Sequence, residues 1–446
     1  MNVTRAIAFL FLVAPVVGAQ QPARPNVVLI ITDDLGYGDL GSYGATDIRT
    51  PHIDGLARDG ARLTQFYANA PTCTPTRAGL ITGRWQQRVS LEYPLGLHRP
   101  GDYDLGLRAT GRTLPQLLKN AGYATALVGK WHLGWKPEFS PIRHGFDYFF
   151  GLKAGFHDFY THTTPDAPGS GGRDLYENDS LVDIPGYTTD LITERSVRFI
   201  EKNARGPFFI DVSYNAPHWP YQVPDKPSVA RDSARHLRPW DDSTSTRADY
   251  AAMVERVDAG VGQILAALDR LGIRENTLVI FTNDNGGEWL SRNTPFFHSK
   301  FTVWEGGLRV PAIVRWPGRI RPGTVSHQVG ITMDFTRSIL AAARAPLPAE
   351  LKLDGIDILP ILSGQAPEQE RTLYWRTLMP PRRQAAIRSG DWKMVFDAVT
   401  PMLFNLKNDV GERVNLVAAN PAIAKRLFEL YRAWEEEVTA EARSAR

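Results

Sequence analysis

The chain has 446 residues, 22% charged and 43% hydrophobic, enough length and apolar content for one large globular domain with a smaller appendage rather than a disordered chain. A formal net charge of +3 suits an anionic substrate but falls short of the basic runs that nucleic-acid binding requires. Cys73 is the one cysteine in the sequence, so no internal disulfide can form.

Residues 1–19 form a predicted signal peptide: Arg5 precedes an apolar stretch from Ala6 to Val17, and the small residues Val17 and Ala19 suit cleavage before Gln20. That stretch is too short to span a bilayer, no cysteine follows the cleavage point to carry a lipid, and no later segment has the pattern of a membrane span. The expected location is periplasmic or secreted.

Four apolar runs rich in Val, Ile and Phe follow in order: Asn26 to Thr32, Tyr123 to Val128, Phe208 to Ser213, and Thr277 to Thr282. Runs this continuous predict strands buried on both faces of a parallel sheet. Between them, Thr113 to Asn120, Thr189 to Asn203 and Tyr250 to Leu271 place apolar residues at helical spacing and end near glycine or asparagine. The alternation predicts a doubly wound α/β domain over residues 20–364.

After Ser363-Gly364 the texture changes. Short strands around Leu373 to Arg376, Ala385 to Arg388, Lys393 to Phe396 and Met402 to Asn405 precede a helix with Asn420 at its cap and Pro421 at its first position. Residues 365–446 are thus an expected sheet-plus-helix subdomain.

Each of the four main runs leads at once into polar residues: Asp33 and Asp34, Lys130 and His132, His218, and Asp284 with Asn285. Ligands of such sheets bind outside the carboxyl ends of the strands, so these residues are expected to meet at one edge. Asp33, Asp34, Asp284 and Asn285 offer oxygen donors, the chemistry of a hard cation, Ca2+ or Mg2+. Either pair alone is equally a turn or a helix cap; two pairs at two strand ends favour a metal site. Arg77, Lys130, Lys300, His132 and His218 form a cation-rich set suited to a tetrahedral oxyanion ester, and phosphate and sulfate both qualify.

Cys73-Thr74-Pro75-Thr76-Arg77, with Leu80, Thr82, Gly83 and Arg84 behind it, resembles the C-x-P-x-R signature of the sulfatase family, within the alkaline phosphatase-like superfamily. The resemblance extends to Asn26–Gly38, Gly129–Gly134, Ala216–His218, Thr282–Gly286 and Lys300–Pro311. It implies an alkaline phosphatase-like fold, a mostly parallel mixed sheet between helices with a small C-terminal antiparallel sheet and helix. It also implies a sulfuric ester hydrolase in which a maturation enzyme oxidises Cys73 to formylglycine.

By the same resemblance, Asp33, Asp34, Asp284, Asn285 and the modified Cys73 hold Ca2+. Arg77 orients the aldehyde hydrate, Lys130 and His132 contact the modified residue and the sulfate, Lys300 grips a sulfate oxygen and His218 protonates the leaving alcohol. A hydrated aldehyde has two hydroxyls, one to attack sulfur and one to expel the bound sulfate, an exit that serine lacks. Thr74 departs from the serine often found at its position.

For the substrate, the loop residues Trp135, His157, Asp158, Tyr160, His162, Trp219, Tyr221, Trp289 and Arg292 are candidates, since aromatic faces with polar neighbours suit a sugar ring. Asp158 to His162 and Tyr187 to Asp190 resemble segments of arylsulfatase B, an N-acetylgalactosamine-4-sulfatase. The expected substrate is a sulfated carbohydrate, with N-acetylgalactosamine or galactose as the sugar and aryl sulfates as surrogates. Two alternatives stand beside it. Phosphonate monoester and phosphodiester hydrolases of the superfamily use the same cysteine signature, and a catalytically silent sulfated-glycan-binding protein is possible on the same scaffold, although every position expected to do chemistry carries a competent residue.

Overall fold

The computed structural model describes residues 24–96, 101–165, 167, 171–225, 244–379, 382–397 and 400–444, and the leader expected at 1–19 lies outside them. Asn26–Thr32 and Phe208–Ser213 are strands with the bounds expected, and the other two long runs become Ala124–Gly129 and Thr277–Asn283. These four and Tyr148–Gly151 lie parallel, in the order Thr277–Asn283, Asn26–Thr32, Phe208–Ser213, Ala124–Gly129, Tyr148–Gly151.

Short strands complete a ten-stranded mixed sheet. On one side Ala312–Arg315 pairs antiparallel with Thr277–Asn283, Ala61–Leu63 pairs antiparallel with it, and Thr324–Ser326 forms the edge. Tyr176–Glu177 and Ser180–Leu181 close the other side.

Alternate residues of the central strands enter two separate cores, as period-two side-chain direction requires. Val27, Leu29 and Ile31 pack with Ala78, Leu80 and Ile81 of the helix Cys73–Thr82 and with Phe335 and Ile339 of Met333–Ala343. Val28 and Ile30 pack on the opposite face against Thr188–Asn203 and Arg247–Arg270. The latter helix starts three residues before the expected Tyr250, because Thr246 and Asp249 form a reciprocal capping box.

The C-terminal strands Thr372–Met379, Arg382–Ser389, Trp392–Phe396 and Met402–Asn405 form the expected antiparallel sheet, against which Pro421–Ser444 packs through Leu427, Tyr431 and Trp434. The Asn420 side-chain amide turns back to donate to the Leu416 carbonyl, while its own carbonyl accepts from Ala424. This small sheet shares its core with Tyr67, Trp85, Val303 and Trp304. Lys393, fully buried, pairs at 2.9 Å with both Glu305 and Glu412, which pins the sheet to the segment just after Lys300. Among the described residues no helix is long and apolar enough to cross a membrane.

Candidate active site

The strand ends deliver their residues to one edge. Asp33 and Asp34 follow Thr32 directly, with Asp34 in the left-handed region at φ 65°, a conformation that costs a non-glycine residue free energy. Gly129 ends its strand at φ 126°, where a Cβ would stand 1.9 Å from the Ser213 carbonyl oxygen. Only glycine lets the two strands approach this closely, and Lys130 follows at once. Cys73 is the first residue of a helix that is buried throughout and that points this end at the same edge.

Ligand atoms of Asp33, Asp34, Cys73 and His218 lie within 4.8 Å of one another, all buried. The Cys73 thiol donates to Asp33 Oδ1 at 3.6 Å. Lys130 Nζ pairs with Asp33 Oδ2, and Lys300 Nζ donates to Asp34 Oδ2 at 2.7 Å. Asp284 joins the group through Arg77, whose Nε and Nη2 donate to its Oδ2 at 3.1 and 2.9 Å. Arg77 Nη1 donates in turn to the Lys130 carbonyl and the Ser213 hydroxyl, so the guanidinium is held on both edges. Asn285 donates to Asp34 Oδ1 at 2.7 Å.

The electrostatics follow from burial and close charge. Desolvation opposes ionisation of Asp33, but the combined charges of Lys130, His218, Arg77 and Lys300 outweigh it and hold the carboxyl well below the usual carboxylate range. Asp284 moves the other way, to about 7, through burial and the nearby Asp33. Burial pushes the Cys73 thiol up, so an unmodified Cys73 is a protonated and poor nucleophile at neutral pH.

Two orphaned atoms test whether a cation fits. Asp284 Oδ1 and Asn285 Oδ1 are buried without a hydrogen-bond partner, and unsatisfied buried oxygens beside an Asp33–Asp34 pair are costly. All four residues are hard oxygen donors, so the set suits Ca2+ or Mg2+.

Both histidines have defined roles in the packing. His132, at φ 57°, donates from Nε2 to the Leu95 carbonyl at 2.8 Å, which leaves Nδ1 buried with a free lone pair. Thr74 secures this corner by donating to the His132 carbonyl and accepting from the Leu95 N–H, so the departure from serine keeps a working hydroxyl. His218 donates from Nδ1 to the Trp219 carbonyl at 2.5 Å, which turns Nε2 toward Lys300 Nζ at 3.2 Å and Asp34 at 3.5 Å. Burial first, then the Lys300 charge, lowers the His218 pKa to about 4. Phe156 stacks on its ring at 5.8 Å and 11°.

The expected substrate loop behaves differently. His157 is fully buried, with Nδ1 on the Asp174 carbonyl and Nε2 on Thr188, so neither ring nitrogen is left for a ligand. Asp158 accepts from the Tyr160 and Thr161 N–H groups and from Gln222; Tyr160 donates to the Val223 carbonyl, and His162 Nε2 meets the Gly186 carbonyl. These hydrogen bonds knit the loop together, and the two ring nitrogens of His157 are both occupied. Trp135 and Tyr221 are buried, Trp219 is 7% exposed beside His218, Arg292 pairs with Asp47 at 3.0 Å, and Trp289 is 54% exposed.

Four residues near the site were missed. Ser213 and Phe156 have no sequence signal of their own. Glu288, in the glycine-rich loop after Asn285, is nine-tenths buried beside Lys300, and burial raises its carboxyl to about 7 against the lowering effect of the lysine.

Asp211 did carry a signal, as a charge inside the apolar run Phe208–Ser213. It lies between Leu29 and Leu127 in register, lines a water-sized cavity of about 10 Å3 with Arg77 and Lys130, and leaves Oδ1 without a partner. Burial raises its pKa to about 7, only partly offset by Arg77. A raised carboxyl pKa favours the fold fully at acid pH and loses that contribution as pH climbs from about 4 to about 7. Asp211→Asn is therefore expected to gain on the order of 1–3 kcal/mol relative to the parent between pH 5 and pH 8. Thermal unfolding at the two pH values checks it; equal shifts at both would contradict the assignment.

Comparison with known proteins gives the same direction. Residues 25–345 match the family described as Sulfatase, and residues 294–436 match one described as N-sulphoglucosamine sulphohydrolase, C-terminal. The chain is 36% identical over 401 residues to N-acetylgalactosamine-6-sulfatase of Canis lupus familiaris, covering 85% of this chain and 72% of that protein. It is 32% identical to arylsulfatase J of Mus musculus, covering 93% and 76%. The crystal structure of Ps i-CgsB in complex with k-i-k-neocarrahexaose superposes with a TM-score of 0.81 at 30% identity and covers 92% of both chains. The chain belongs to the sulfatase family and is a sulfuric ester hydrolase.

Proposed function

We propose that this protein is an exo-acting carbohydrate sulfatase whose Cys73 is converted to formylglycine by a maturation enzyme and which acts on sulfated N-acetylgalactosamine or galactose in the periplasm or outside the cell. The observation that carries this reading is the convergence of Cys73, Asp33, Asp34 and His218 within 4.8 Å, with Lys130 and Lys300 paired to the two carboxylates. Relatives named N-acetylgalactosamine-6-sulfatase support the sugar and weigh toward the 6-position over the 4-position suggested by the loop resemblance.

Asp33, Asp34, Asp284, Asn285 and the modified Cys73 would hold Ca2+ or Mg2+, which supplies Lewis-acid stabilisation of a sulfate oxygen. A hydrated formylglycine supplies the attacking hydroxyl and a second hydroxyl for release. The remaining work belongs to side chains already in place. Arg77, clamped by Asp284, Ser213 and the Lys130 carbonyl, orients residue 73. Lys130 and Lys300 face the sulfate charge, and His132 offers Nδ1 to a hydroxyl on residue 73. His218, with Nδ1 fixed on the Trp219 carbonyl, holds the transferable proton on Nε2 once an anionic ester beside Lys300 offsets the lysine's repulsion. Trp219, Trp289 and Arg292 remain candidates for the sugar. We place the catalytic domain at 20–364 and the appended subdomain at 365–446.

Sulfate release by protein co-expressed with a formylglycine-generating enzyme tests the reading, on 4-O- and 6-O-sulfated N-acetylgalactosamine, sulfated galactose and an aryl sulfate. Turnover of the aryl sulfate alone would overturn the sugar assignment. His218→Ala is expected to lower kcat/KM on sugar sulfates by on the order of 10²–10⁴ and on aryl sulfates much less, since only poor leaving groups need the proton. Equal losses would remove His218 as the acid.

A further inference from the structure

Lys300 is contested. Its ammonium stands 2.7 Å from Asp34 Oδ2, 3.2 Å from His218 Nε2 and 3.5 Å from Glu288 Oε2. Its closest partner is a carboxylate assigned to the cation, and the two demands conflict. A divalent cation on Asp34 would draw on the same carboxylate that holds the lysine and would repel the ammonium as well.

Glu288 resolves that conflict. Its side chain is 8% exposed and its Oε2 is buried without a hydrogen-bond partner, so this oxygen has acceptor capacity in reserve. Ser291 fixes the backbone here by donating from its N–H and its hydroxyl to the Glu288 carbonyl. A movement of under about 1 Å by Lys300 Nζ, which sits on a flexible four-carbon stem, would turn the 3.5 Å ion pair into a charge-assisted hydrogen bond. A negative group in a site for anions is otherwise unfavourable, and a partner for Lys300 gives it a reason to be there.

We propose that Glu288 is a positioning residue that takes over Lys300 when a divalent cation claims Asp34, so that the lysine keeps its place beside His218 and its charge stays available to the sulfate group. This rests on the reading of Asp33 and Asp34 as cation ligands. Without Glu288, Lys300 stays on Asp34 and competes with the cation.

The test is calorimetric titration of chelator-stripped, full-length protein with CaCl2, and with MgCl2 in parallel, on the parent, Glu288→Gln, Lys300→Met and the double variant. Thermal unfolding first establishes that each variant is folded. Glu288→Gln is expected to weaken cation binding about three- to tenfold in the parent, and by less than about twofold once Lys300 is methionine, because the competitor is gone. An unchanged affinity in Glu288→Gln, or an equal loss in both backgrounds, overturns the inference: the second result would mean that Glu288 acts only as one more negative charge. A parent protein that takes up neither cation overturns the ligand assignment of Asp34 and this inference with it. Loss of the coupling cannot come from a merely structural Glu288, which would weaken binding with or without Lys300.

Discussion

Cys73→Ala protein is expected to fold normally and to release sulfate at a rate lower by on the order of 10⁴-fold or more, the usual consequence of removing a covalent nucleophile. The fold should tolerate the change because the thiol makes one long hydrogen bond, to Asp33, and occupies a position where alanine fits the helix start. The same reasoning makes a second outcome testable. Protein that keeps an unmodified Cys73 should be nearly as inactive as the alanine variant, since burial holds the thiol protonated. Sulfate release measured alongside peptide mass spectrometry of the Cys73 segment checks both. Substantial turnover by Cys73→Ala would remove the proposed nucleophile.

Stripping divalent cations should have the next largest effect. Asp33, Asp34 and Asp284 bring three carboxylates together with Arg77, Lys130 and Lys300, and two oxygens in the group have no hydrogen-bond partner. The protein side chains alone therefore balance the charge without satisfying every donor and acceptor. Chelation is expected to reduce sulfate release by on the order of 10²–10³-fold, equivalent to several kcal/mol of lost stabilisation. Ca2+ restored at a hundred times its Kd should stabilise the folded state by about 2.7 kcal/mol. Activity and scanning calorimetry before and after chelation, with metal content measured, check this. Full activity and unchanged melting in metal-free protein would defeat the ligand assignment.

The central architecture was legible because long Val- and Ile-rich runs have few alternatives: Asn26–Thr32 and Phe208–Ser213 keep the bounds their composition suggests. The residues after those strands were legible for the same reason, since the topology of a parallel sheet brings distant strand ends to one edge. Ala61–Leu63 and Ala312–Arg315 were not, because three or four residues cannot establish a period and their pairing is set by neighbours far away in sequence. The hydrogen bonds of the expected substrate loop were illegible for a related reason. His157 looks available in sequence, yet Asp174 and Thr188, from segments not adjacent to it, take both ring nitrogens. Glu288 was missed because nothing local distinguishes a carboxylate facing Lys300 from one facing solvent; only the folded loop brings the two together.

The burial of Cys73 also sets a deadline. The residue is 2% exposed, and every residue of its helix is buried between the sheet and Met333–Ala343. On the proposed conversion of Cys73, an enzyme has to reach a side chain that the folded chain buries, and exposing it takes an opening that costs a large share of the global stability. The proposed conversion and folding would then compete as rates on one nascent chain. Slower folding, by low temperature or by a destabilised Cys73–Thr82 helix, should raise the converted fraction, whereas faster folding traps unconverted molecules. Under the proposed maturation, the specific activity of a preparation would record a race run once per molecule, and later exposure of the folded protein to the converting enzyme should do little to change the result.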